Sequence, residues 1–470
     1  MSVVASRLEL SPRQGVDAGS LGARTFRRRY NIRYAYLAGA MYKGVASKEM
    51  VVALGRAGLL GFLGTGGLAL EEIDRNIHFI QRALSGASYG MNLICNINHP
   101  QVEMDTAELF LKRQIACVEA AAFMRMTPAL VYYRVSGLRM RADGGIDCKH
   151  RIVAKLSRPE VARAFLSPPP ADIVEQLLAS GRITQEQREL ARRIPMSHDI
   201  CVEADSGGHT DQGVAAVLLP AVQGIKAEIE RTHSYQERIH VGLAGGIGTP
   251  QAAVAAFMMG ADFILTGSIN QCTVEAGTSD CVKDLLEGVD IQDTDYAPAG
   301  DMFELGAQVQ VLKKGTLFPA RANKLYMLYS HYDSWEAIPA KLREQIESRY
   351  FQRSFEQVWQ EVCAYQTRKG RHETVQKAQS NLKHRLALVF RWYFGYTSRL
   401  ALSGDERNRA DFQIHTGPAM GAFNQWVKDS ELQSWRNRHV DRIAEKLMNG
   451  TAELLDGQIR NLGFVGANIL

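Results

Sequence analysis

Residues 242–268 read GLAGGIGTPQAAVAAFMMGADFILTGS. Two apolar runs, RIHVGLAGG (238–246) and DFILTGS (262–268), close on Gly245-Gly246 and on Gly267-Ser268. The segment between them carries helix punctuation. Thr249 suits an N-cap, Pro250 the first helical position, and Gly260 the position just past the end. The order is strand, glycine loop, helix, strand, glycine loop. Glycines let backbone N–H groups converge on a ligand, and a helix N-terminus adds partial positive charge. In closed α/β barrels, the loops after strands seven and eight often hold phosphate. Each glycine loop alone could be a tight turn. The pair, one helix apart, predicts an anion site at the end of a barrel.

The chain upstream fits that reading. Apolar runs occur at 31–41, 59–64, 89–94, 129–135, 151–156 and 199–204. With the two above they give eight candidate strands, apolar enough to be buried on both faces. Helical patterns alternate with them. Ile73, Ile77, Ile80 and Leu84 share one helix face, and Ser47 suits an N-cap for KEMVVALGRAGL. Eight β/α units in about 240 residues predict a TIM (β/α)8 barrel rather than an open sheet. SPPPADIVEQLLASGRITQEQRELARRIP (167–195) reads as a two-helix insertion. Beyond about residue 325 the strand signals stop, and charged amphipathic helices follow. The expected organisation is an N-terminal extension over 1–30, a barrel over 31–325, and a helical C-terminal substrate or lid region over 326–470.

Composition excludes several classes. Hydrophobic residues at 46% and charged residues at 22% mark an ordinary globular chain. The seven cysteines form no CxxC pair, which argues against a structural zinc site and a disulfide framework. No metal site is expected. No apolar window is long enough for a membrane helix, and the N-terminus lacks a secretory leader pattern, so a cytoplasmic protein is expected. The basic run RTFRRRYNIR (24–33) lacks interleaved aromatics in a stripe and reads as a solvated face, not a nucleic-acid surface. GTGGLA (64–69) mimics a dinucleotide fingerprint, but the next apolar run, YGMNLI, has no closing carboxylate. It reads as a barrel-top loop beside a ligand.

The motifs together resemble the flavin-dependent nitronate monooxygenase superfamily, which includes flavin enoyl reductases. AGAMYKGVAS (38–47) resembles the first flavin loop, with Ala40 and Met41; YGMNLI carries Asn92; VAKLSRPEVA carries Lys155. EADSGGHTD (203–211) resembles the E-x-x-x-G-G-H signature, with Glu203, Gly207, Gly208 and His209. The 242–268 stretch resembles an FMN phosphate segment, with Gly245, Gly246, Ile247, Gly267 and Ser268. More narrowly, LLASGRITQEQRELARRIPMSHDICVEADSGGHTD and FQIHTGPAMGAFNQWVKDSEL (412–432) resemble the stand-alone enoyl reductases of polyunsaturated fatty acid and trans-acyltransferase polyketide synthases.

That resemblance implies FMN, NADPH or NADH as hydride source, and a 2-enoyl thioester on an acyl carrier protein as substrate. It also implies work within a synthase assembly, with a homodimer as an option. His209 is then the candidate for positioning the thioester and supporting proton delivery, because imidazole titrates near neutrality. Lys155 binds carbonyl or flavin, or is ion-paired with Glu203 or Asp205. Glu203 orients neighbours, contacts cofactor, or is structural; Met41 and Asn92 contact flavin, or serve as core and turn residues. Ser206, after Asp205, is the departure from the family's small residue. Arg182, Arg188, Arg192 and Arg193 could face an acidic carrier protein, or form a solvated helix face. Competing readings are a nitronate monooxygenase using oxygen, an IMP dehydrogenase-like barrel, and a silent flavin scaffold. The second needs a cysteine where Gly-Gly-His stands.

Overall fold

The computed structural model describes residues 15–97 and 99–462. Eight parallel strands close into a barrel in chain order: Tyr36–Ala38, Leu60–Leu63, Gly90–Ile94, Cys117–Ala121, Arg151–Leu156, Asp199–Glu203, His240–Ala244 and Ile264–Thr266. The first pairs with the eighth through Tyr36↔Ile264 and Leu37↔Leu265, which leaves no open edge. The expected TIM barrel is present.

The fourth strand lies elsewhere than the apolar pattern suggests. Residues 129–135 lie in the helix Pro128–Val135, and the fourth strand is Cys117–Ala121. The helix is dictated by its start: the Thr127 hydroxyl accepts from the Leu130 N–H, and Pro128 takes the first turn. Its apolar run is continuous because Leu130, Val131, Tyr133 and Val135 are all buried. Glu119 disguises the true strand by placing a carboxylate at its centre.

The basic run at 24–33 is also corrected. Arg24–Tyr30 is a helix that plugs the N-terminal mouth of the barrel. Phe26 stacks on Phe263 with centroids 4.1 Å apart. Arg29 is only 7% exposed and meets buried Asp199 at 2.6 Å, while Tyr30 and His240 also bond that carboxylate. A solvated face would not bury the cation.

The helices Ala171–Ala179 and Gln185–Ala191 form the 167–195 insertion. Downstream of the eighth strand, the antiparallel strands Thr294–Pro298 and Gln308–Leu312 form a sheet with Gly208–Thr210. A helical unit follows, from Phe318 to Asp411, with an aromatic core of Phe318, Trp335, Phe351, Phe390 and Phe394 that Phe303, from the turn before Gln308–Leu312, completes. The chain then returns to the barrel. Phe412, Ile414, Met420, Phe423 and the long helix Val440–Asn461 bury their apolar side chains in the barrel's outer core. No helix among the described residues is long and apolar enough to cross a membrane.

Candidate active site at the C-terminal end of the barrel

Strand periodicity builds the site. Cys117, Val153 and Cys201 point into the barrel interior. Two residues further along each strand, on the same face, stand Glu119, Lys155 and Glu203. Lys155 Nζ lies 3.1 Å from Glu203 and 3.6 Å from Glu119. Burial works against its charge, but the two carboxylates hold it above the ordinary lysine value. Glu119 is fully buried, and loss of water raises its carboxyl above the usual range despite Lys155. Its Oε2 accepts the Ala40 N–H at 3.0 Å, and its backbone oxygen accepts from Asn92 Nδ2 at 3.1 Å. Glu119 thus ties the first, third and fifth strands together. Sequence reasoning missed it; the signal that could have found it was the true fourth strand.

The glycine loops sit on the same rim. Gly245 and Gly246 have φ of +92° and +72°, which glycine adopts without strain. A Cβ at Gly246 or at Gly267 would meet no atom within 4 Å. The Thr249 hydroxyl caps the helix Pro250–Met258, as its sequence predicts. The N–H groups of Gly246, Ile247 and Ser268 find no acceptor among the described residues. Buried polar atoms of Glu119 (Oε1), Gln310 (Oε1) and Thr416 (Oγ1) also lack a hydrogen-bond partner among those residues. Unpartnered N–H groups and open space at the paired glycine loops, with further unpartnered polar atoms in the same structure, fit a polar, phosphate-bearing cofactor.

The return segment walls this space. A Cβ at Gly207 would lie 2.7 Å from Thr416 Cα, so that glycine serves close backbone approach, not open space. A Cβ at Gly248 would collide with the Ala419 carbonyl. The Ser268 hydroxyl accepts the Gly417 N–H at 3.2 Å, beside the helix Pro418–Trp426. Thr416 and Gly417 lie in FQIHTGPAMG, whose proline-started helix was the available signal.

His209 stands on the short strand Gly208–Thr210, opposite Val309. It is 39% exposed, and its Nε2 lies 2.8 Å from Asp301 Oδ1. His415 bridges Val311 beside it. Asp205 is not paired with Lys155; it accepts from Thr210 at 2.6 Å, from the Tyr296 hydroxyl, and from Gln310 at 3.4 Å. The Ser206 hydroxyl donates to Glu203 at 3.2 Å. Met41 packs half-buried against the barrel's outer core. Of the insertion arginines, Arg182 pairs with Glu108, and Arg188 with Glu175 and Glu189. Among the described residues, no group of metal-ligating side chains gathers.

Comparison with known proteins places this geometry. The family model described as "[Acyl-carrier-protein] S-malonyltransferase, inserted helical domain" matches residues 332–412, most of the helical unit. Polyketide biosynthesis protein PksE of Bacillus subtilis is 55% identical over 95% of this chain and 58% of its own length. A polyunsaturated fatty acid synthase component of Thraustochytrium is 44% identical over 89% of this chain and 28% of its own. The chain therefore spans under two thirds of these relatives. The crystal structure of the enoyl reductase domain of MlnA, from the macrolactin cluster of Bacillus amyloliquefaciens, superposes with a TM-score of 0.91 at 45% identity. It covers 95% of this chain and 100% of that one. The chain belongs to the family of the MlnA enoyl reductase domain and of the matching regions of PksE and the polyunsaturated fatty acid synthase component.

Proposed function

We propose that this chain is an FMN-dependent NAD(P)H enoyl reductase. It acts in trans, in the cytoplasm, on 2-enoyl thioesters carried by an acyl carrier protein during polyketide or polyunsaturated fatty acid assembly. The observation that carries the reading is the open, glycine-lined cradle on the barrel rim that also carries Lys155 and His209, in a chain that superposes over 95% of its length on an enoyl reductase domain.

Gly245, Gly246, Ile247, Gly267 and Ser268 would hold the phosphate; Ala40, Met41, Asn92, Lys155 and Glu203 would border the ring system, with Gly208 at the rim. Bound there, FMN supplies the hydride chemistry between a nicotinamide and the β-carbon of the substrate. Lys155 supplies a fixed positive charge, kept protonated by its two carboxylate partners. His209 orients the thioester and delivers a proton to the α-carbon. Its partial exposure lets it recover that proton from water. The return segment shuts solvent from the cradle floor.

The test is anaerobic. The flavin is reduced with NADPH, and its visible absorbance is followed after a 2-enoyl thioester is added. Prompt return of the oxidised band is expected. Turnover only with a nitronate and oxygen would replace this reading by the monooxygenase one, and failure to bind flavin would remove both.

A further inference from the structure

Asp301 reaches His209 from outside the barrel. It lies just past the strand Thr294–Pro298, whose partner Gln308–Leu312 pairs directly with the His209 strand. The Asp301 backbone is itself held. Arg391, on the helix Leu382–Ser403, donates from Nε to Gly300 O at 3.0 Å and from Nη2 to Asp301 O at 3.3 Å. It also lies 3.4 Å from Glu304. The helical unit thus fixes the turn that presents the carboxylate.

We infer that Asp301 is a positioning residue for His209: its carboxylate accepts the Nε2–H hydrogen bond and leaves Nδ1–H as the group that gives its proton to the substrate. Nδ1 of His209 has no hydrogen-bond partner among the described residues. The inference rests on the reductase reading above. In the step, the Nδ1–H bond breaks, a C–H bond forms at the α-carbon, and the imidazole is left neutral, still hydrogen-bonded to Asp301. Water restores the proton.

The charges facing His209 support this. Burial disfavours its charged form, but the hydrogen bond and charge of Asp301 outweigh that and hold it above the ordinary imidazole value. Glu203 adds to this and Lys155 opposes it. His415 lies on the other side; its Nδ1 stands 3.7 Å from where a Gly208 Cβ would be. Burial, then His209 itself, push His415 down to about 4, with Lys43 adding to the effect. At neutral pH it is therefore uncharged and does not repel a protonated His209.

The experiment uses the full chain loaded with FMN. The His209 ring is titrated by NMR with labelled histidine, its signal assigned by loss in His209→Asn, in wild type, Asp301→Asn and Asp301→Glu. The oxidative half-reaction with a 2-enoyl thioester is followed across the same pH range. In Asp301→Asn, the His209 titration and the basic limb of the rate profile both move to lower pH. The half-reaction at pH 8 slows roughly tenfold, a fraction of what a general acid contributes, and NADPH reduction is unchanged. Asp301→Glu restores most of both. An unmoved His209 titration in Asp301→Asn overturns the inference, as does equal behaviour of the two variants or a moved titration with an unmoved rate profile. If wild type is not reoxidised by the thioester, the reductase reading fails, while the titration still reports on the pair.

Discussion

Lys155 serves two carboxylates at once, and its removal has a sign that can be worked out. Without it, Glu119 keeps the Ala40 N–H but loses the charge that opposes its burial. Its carboxyl then titrates higher still in the folded state. A carboxyl raised on folding weakens stability as pH climbs from its unfolded toward its folded value. Lys155→Met is therefore expected to destabilise more at pH 8 than at pH 5.5, by about 3 kcal/mol at the higher pH, the range for a broken buried pair. Urea unfolding at the two pH values checks this; an equal loss at both would remove the charge argument. Gly267 offers the opposite kind of test. Its φ is −129°, and a methyl there meets open space. Gly267→Ala should leave the melting temperature within about 2 °C while weakening FMN binding at least about tenfold, read by quenching of flavin fluorescence. Gly245 and Gly246 were legible from the sequence because their positive φ leaves few alternatives to glycine, whereas Gly267 was legible only by its pairing with them one helix apart. Glu119 was not, because a buried carboxylate inside a strand breaks the apolar pattern that reveals strands. Asp301 was not, because its partner lies 92 positions away on a different strand system.

Among elements, the helix Arg24–Tyr30 shows why a charge run cannot be read from composition. Arg24, Arg27 and Arg28 share the helix with Arg29, yet Arg29 is buried against Asp199. The site lies at the other end of the barrel, so floor and function separate. Asp199 is held well below the usual carboxylate range: burial opposes this, but Arg29, His240 and Tyr30 prevail. A carboxylate depressed on folding stabilises above its unfolded pKa, and that stability is lost as pH falls through the folded value. Arg29→Ala should cost about 3–5 kcal/mol at pH 7, because His240 and Tyr30 alone leave a buried charge poorly compensated. The loss should shrink towards pH 3. Flavin content of the folded fraction should not change. Denaturant midpoints with flavin absorbance separate the two. A loss of flavin at unchanged stability would show that the floor helix shapes the site after all. The fourth strand belongs to this scale too. Period and apolarity could not separate ALVYYRV from a strand, whereas Thr127-Pro128 just before it is a helix start that length and pattern alone overlook.

For the whole molecule, the strand Gln308–Leu312 matters most, because it joins two cores. Val309 and Val311 belong to the aromatic core of the helical unit, and Leu312 to the barrel's outer core. The same strand pairs with Gly208–Thr210, so His209 is carried by a sheet whose far face is the helical unit. Loosening that unit should therefore reach the histidine before it reaches the glycine loops, which rest on barrel strands. Trp335 is 7% exposed and stacks on Phe355 with centroids 4.5 Å apart, far from the glycine loops in sequence. Trp335→Ala should remove about 3–5 kcal/mol from the helical core. Local opening of that unit becomes cheaper than global unfolding. Amide hydrogen exchange should then rise across 294–312 and 208–210 while the strands His240–Ala244 and Ile264–Thr266 keep wild-type protection. FMN should remain bound as reoxidation by the thioester slows. Uniformly faster exchange over barrel and helical unit alike would mean instead that the two cores unfold as one, and that His209 is held no more loosely than the glycine loops.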